Sequence, residues 1–114
     1  MLISFFEEFP IRENLQKLRL VTWPTKLYIA AKSTPEFEQI RSTVRSKNAK
    51  EIVYWPILAR KEGYWISPFS QRKALRRIVQ ELQGKHIPVM LDLELPTTKN
   101  PLLYVTQAVN FWRN

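Results

Sequence analysis

Four short apolar runs, rich in β-branched and aromatic residues, recur along the chain at 2–6, 26–31, 51–58 and 87–93, and segments of helical period separate them. The starts are 24, 25 and 36 residues apart, close to the length of a strand–helix–strand unit of about 30 residues. Strands that alternate with helices pair in parallel through crossover connections, nearly all of them right-handed. With 114 residues the chain has room for one core and not two. The pattern therefore predicts a single α/β domain over residues 1–114, made of four βα units with parallel strands.

The separating segments carry start and stop signals. Thr34-Pro35-Glu36 supplies a capping hydroxyl, a proline and a first-turn acid, and Phe37, Ile40 and Val44 follow at helical spacing. Ser70 precedes a stripe of Ala74, Leu75, Ile78, Val79 and Leu82, and Gly84 stands where a C-terminal cap belongs. Asn100-Pro101 opens a fourth helix with Leu102, Val105, Val109 and Trp112 on related faces. A first helix over roughly 12–21 is marked by Leu15, Leu18 and Val21 alone.

Four such units close in one of two ways. They form an open, doubly wound parallel sheet, or half of a (βα)8 barrel of the TIM type, whose complete form needs about 250 residues. The strand faces favour the half-barrel. In the fourth run Val89, Leu91 and Leu93 oppose Met90, Asp92 and Glu94, and in the second Leu27, Ile29 and Ala31 oppose Tyr28, Ala30 and Lys32. A central strand of an open sheet, covered on both sides, is apolar on both faces. Half a barrel has two open edges, which invite pairing with another chain. A homodimer through those edges, or a piece of a longer protein, both fit.

Composition removes much chemistry. The chain has no Cys, hence no disulfide, thiolate nucleophile or cysteine metal site. Gly63 and Gly84 are its only glycines, which excludes a glycine-rich phosphate loop. His86 is the single histidine; it precedes the fourth strand, on the side away from the expected site, and reads as structural. No basic segment leads the apolar start, and no run approaches the ~18 apolar residues of a membrane span. A cytoplasmic protein without a membrane segment or cofactor is expected.

What remains is carboxylate chemistry. Glu7, Glu8, Asp92 and Glu94 fall at or just past the C-terminal ends of the first and fourth strands, where α/β proteins build their sites. Asp92 and Glu94 on one strand face stand about 6.5–7 Å apart at a rise of about 3.3 Å per residue. Carboxylates that close, partly shielded from water, split their pKa values into an acid and a standing anion. Glycoside cleavage uses that division. Trp55 and Tyr54 on the third strand, with Tyr64 and Trp65 in the long loop after it, offer flat faces for sugar rings. Lys32, at the end of the second strand, could meet a phosphate or form a Schiff base, but reads first as a surface lysine. Glu8, Asp92 and Glu94 could alternatively hold Mg²⁺ or Ca²⁺. The same acids also suit a strand-to-loop junction or a helix N-terminus, with no chemistry at all.

Val-Met-Leu-Asp-Leu-Glu at 89–94 resembles the end of strand four in TIM-barrel glycoside hydrolases such as the family 18 chitinases and family 25 muramidases. That resemblance implies Glu94 as proton donor and Asp92 as its electrostatic partner. The chain departs from the chitinase pattern at Met90 and at Ile87-Pro88, and from the muramidase start at Ser4–Glu8.

Two function classes follow: a glycosidase-like barrel, or half of one, acting on a carbohydrate, and a non-catalytic binding or assembly module using open strand edges or a basic helix face. Eighteen Lys and Arg against ten Asp and Glu give a net charge of +8. Arg72, Lys73, Arg76 and Arg77 form one cationic face and Arg41, Arg45, Lys47 and Lys50 a second cluster. No nucleic-acid-binding signature accompanies them, and a solvated helix face accounts for the first.

Overall fold

In a computed structural model of the chain, whose described residues are 2–93, three parallel strands and three α-helices alternate. Strands β1 (Ile3–Glu7), β2 (Thr25–Ala31) and β3 (Ala49–Pro56) lie side by side in chain order. Helices α1 (Arg12–Lys17), α2 (Thr34–Thr43) and α3 (Arg72–Leu82) fill the connections, with 3-10 turns at Leu18–Leu20 and Arg60–Glu62. Phe5 stands opposite Leu27, which stands opposite Ile52, and Glu7 opposite Ile29, which stands opposite Tyr54. The fourth helix predicted from Asn100-Pro101 lies outside the described residues.

The two faces of β2 differ as its alternation predicts. Leu27, Ile29 and Ala31 are fully buried with Leu18, Phe37 and Tyr54. On the other face Lys26 and Tyr28 are half-buried and only Ala30 is covered. A second cluster, Leu58, Ile66, Ala74 and Ile78, seats α3.

Local chemistry moves several boundaries. Helix α2 is capped by Ser33, not Thr34: the Ser33 hydroxyl accepts from the Glu36 amide at 3.2 Å, and Glu36 Oε2 accepts from the Lys32 amide at 3.1 Å. Thr34 thereby becomes the first helical residue; its amide donates to Glu81 of α3 at 3.2 Å and its hydroxyl accepts from Lys85 Nζ at 2.9 Å. Ser70 does not cap α3, which begins after Gln71; its hydroxyl accepts from the Ser67 amide instead. Gly84 has φ +75°, the left-handed turn expected behind α3. Helix α1 stops at Lys17, and the following 3-10 turn buries Leu18. Val21 and Thr22 are poor helix formers, and Pro24 keeps Trp23 out of the helical region.

The fourth apolar run makes two separate parallel bridges, Tyr54 with Val89 and Ile66 with Leu93. Tyr54 exchanges backbone bonds with it, donating to the Pro88 carbonyl at 2.8 Å and accepting from the Met90 amide at 2.9 Å. Pro56 and Pro88 each lack an N–H, which interrupts the ladder on both sides of this contact.

Candidate functional site

The C-terminal ends of the strands bring part of the expected site together. Glu7 and Glu8 follow one another and separate. Glu7, in register with Ile29, faces the helices and takes the Phe9 amide at 3.2 Å. Burial pushes its carboxyl above the usual range, against the opposing pull of the Phe9 amide, Asn14 and Lys17. Glu8 turns toward the β3–α3 loop, where the Tyr64 hydroxyl donates to its Oε1 at 2.9 Å.

That loop is built to hold Tyr64. Gly63 adopts φ +102° and Tyr64 itself φ +64°, a left-handed backbone unusual for a non-glycine residue. The Leu58 amide donates to the Tyr64 carbonyl at 2.7 Å, and the Tyr64 amide to the Ala59 carbonyl at 3.2 Å. The Arg60 guanidinium lies 5.8 Å from the ring centre. Desolvation first, then the hydrogen bond and negative charge of Glu8, raise the Tyr64 hydroxyl above an ordinary tyrosine, with Arg60 opposing.

From Tyr64 a string of rings crosses the sheet face opposite the helices. Tyr64 meets Trp65 edge-on at 4.7 Å, Trp65 stacks on Trp55 at 5.9 Å, Trp55 meets Phe6 edge-on at 6.1 Å, and Phe6 stacks on Tyr28 at 4.5 Å. These separations suit offset and T-shaped aromatic pairs. Phe6 is 55% exposed and Trp55 only 6%, so the string runs from an open ring to a covered one. Trp55 Nε1 is buried without a hydrogen-bond partner among the described residues. The far end of this face is closed by Lys26, 3.6 Å from Glu51 and 5.6 Å from the Tyr28 ring centre. Tyr28 first, then Glu51, hold the Lys26 ammonium above its usual pKa.

Trp55, Tyr64, Trp65 and Glu8 thus form one constellation, while Glu7 stands apart on the helix side. Lys32 is exposed after β2. Asp92 is half-buried, two residues beyond Met90, which packs against the Trp55 cluster. Glu94, the expected proton donor, lies outside the described residues. Among the described residues no three His, Asp or Glu side chains gather as metal ligands; Glu94 of the Glu8, Asp92 and Glu94 set is not among them. The sequence by itself does not mark Phe6 and Tyr28 as part of a site. Their signal was the period-two alternation that puts both on one face, once β1 and β2 pair in register.

The cationic face of α3 is partly neutralised. Arg77 reaches Glu62 at 3.1 Å and Glu81 at 4.0 Å, which leaves Arg72, Lys73 and Arg76 as its exposed cations. Among the described residues no helix is long and apolar enough to cross a membrane. Comparison with protein families, curated proteins and solved structures returns no match.

Proposed function

We propose that the chain is a carbohydrate-active α/β domain, half of a (βα)8 barrel, that binds a sugar at the C-terminal rim of its strands. The observation that carries this reading is the Tyr64–Glu8 hydrogen bond at the end of a continuous string of rings. Sugar rings present apolar C–H faces and a girdle of hydroxyls. A site for them combines aromatic surface with a few fixed polar groups. Here Phe6, Tyr28 and Trp65 supply the surface, with Trp55 packed beneath them, Glu8 the acceptor and Tyr64 its orientation.

Winding in chain order supports the half-barrel. The sheet runs β1-β2-β3, and the segment at Val89 bridges the far side of β3. A doubly wound sheet reverses its order at a switch point, and none occurs among these strands. Met90 packs on the ring cluster, so the chain leading into Asp92 and Glu94 starts from the aromatic face.

In this reading Glu94 donates the proton to the leaving oxygen, and Asp92 stays ionised beside the developing positive charge. The test is a panel of soluble oligosaccharides, read by tryptophan fluorescence for binding and by product analysis for cleavage. A fluorescence change that Trp65→Ala abolishes supports the site. Cleavage lost in Glu94→Gln with binding retained supports the catalytic role. No fluorescence response across the panel, with no cleavage, overturns the proposal.

A further inference from the structure

We propose that two copies of this chain join their sheets edge to edge about a two-fold axis, β1 of each copy pairing with the 88–93 segment of the other. The inference rests on the half-barrel reading of the sheet and is independent of sugar binding.

All the pairings in the sheet are parallel and follow chain order, so its two edges are different strands. Among the described residues β1 is paired on one side only, by β2, and 88–90 on one side only, by β3. Both edges are apolar. Leu2, Ile3, Phe5 and Phe6 are exposed along the first, and Val89, Leu91 and Leu93 along the second. Natural sheets guard free edges with lysine, proline or a bulge. Between Ile3 and Glu7, β1 carries none of these.

The distribution of charge fits association of like chains. A net +8 makes two copies repel. Yet none of the eighteen Lys and Arg falls within 2–11 or 87–93, where the only charges are Glu7, Glu8 and Asp92. The repulsive groups are kept off both edges.

The geometry selects the pairing. A strand that extends this sheet past β1 in the sheet's own parallel pattern runs as the segment bridged to β3 at Val89 does. One two-fold axis along the strand direction satisfies both edges at once and closes the assembly. Pairing β1 with the partner's β1 would be antiparallel and would leave Leu91 and Leu93 uncovered. With the sheets so joined, the ring-bearing face of each copy, open at Phe6, faces that of its partner across a shared interior. The rim of Glu8 and Tyr64 then encircles a pocket that one copy alone leaves open on one side.

Sedimentation equilibrium of the full chain at micromolar concentration tests this, together with tethering. The chain has no cysteine, so Ser4→Cys and Leu91→Cys introduce single reactive positions on the two edges. A mass twice that of the chain is expected. A short bismaleimide should join a mixture of the two variants and fail to join either variant alone. Ile3→Lys should give a monomer with native circular dichroism; should it fail to fold, the tethering result stands by itself. A monomeric wild type overturns the proposal, as does self-linking of the Ser4→Cys variant. A monomer whose fluorescence still responds to oligosaccharide overturns the dimer and leaves sugar binding standing. A dimer without that response does the reverse.

Discussion

The Tyr64 hydroxyl donates to Glu8 Oε1 at 2.9 Å, joining residues 56 positions apart. Tyr64→Phe removes this bond and keeps the ring. Both groups are half-buried, so the expected loss is about 1 kcal/mol or less in urea unfolding, with weaker oligosaccharide binding. The raised hydroxyl pKa also has a sign. The folded chain keeps this proton above the ordinary tyrosine value of about 10. Its contribution is therefore fully present below pH ~10 and is lost as pH rises through the raised value. Phenolate absorbance should lose one late-titrating tyrosine in the variant.

Arg77 holds Glu62 below the ordinary carboxylate range, chiefly through its hydrogen bonds and next against a smaller desolvation effect. A depressed carboxylate stabilises above its unfolded pKa and ceases to do so as pH falls through the folded one. Acid unfolding of Glu62→Gln should therefore differ less from wild type below about pH 4 than at pH 7. Salt should shrink the difference at pH 7, since the pair is solvent-screened. An equal difference at both pH values would count against this ion pair.

Tyr54 is fully buried beside Phe37, its hydroxyl without a hydrogen-bond partner among the described residues, and burial drives its ionisation far up, with Glu81 and Glu36 adding to the effect. A buried polar group left unpaired costs about 1–3 kcal/mol. Tyr54→Phe should therefore leave stability unchanged or raise it by up to about 1 kcal/mol. A clear loss in urea unfolding would reveal a partner for the hydroxyl.

The start of α2 gives two graded expectations. Ser33→Ala deletes the cap on the Glu36 amide and should cost about 1 kcal/mol. Phe37→Ala opens a void against Leu27, Ile29 and Tyr54 and should cost about 3–5 kcal/mol. Thermal unfolding should rank the two in that order.

Much of this architecture is legible without coordinates. Two signals, Leu27, Ile29 and Ala31 at period two and Phe37 and Ile40 at helical period, give the strand, the helix and the face each buries. The cap sits one residue before Thr34 because Ser33 and Thr34 are both competent. The choice falls to tertiary partners, Glu81 and Lys85, that lie 47 and 51 positions away. Continuity of the fourth strand was unreadable for a related reason: an apolar run states the wish to pair, whereas proline on either strand decides where the ladder breaks. Of the candidate residues, Trp55, Tyr64, Trp65 and Glu8 come together as residue type and strand end suggest, while Tyr54, grouped with them on the same grounds, lies in the core under the helices and offers no face to a ligand. That Glu7 and Glu8 part company follows from alternation. Which of them meets the loop depends on a left-handed turn at Gly63 and Tyr64, and residue identity at 64 gives no hint of it.

That turn sets two demands on one position. An L side chain in the left-handed region costs on the order of 1 kcal/mol, so glycine at 64 would relax the backbone while deleting the ring and hydroxyl. The ring more than repays that strain: it packs on Trp65 and ties Glu8 to the loop, contacts worth more than the roughly 1 kcal/mol held in the backbone. Tyr64→Gly should therefore lower the unfolding temperature although it frees the turn, and tyrosine is kept at 64 by what its side chain holds together.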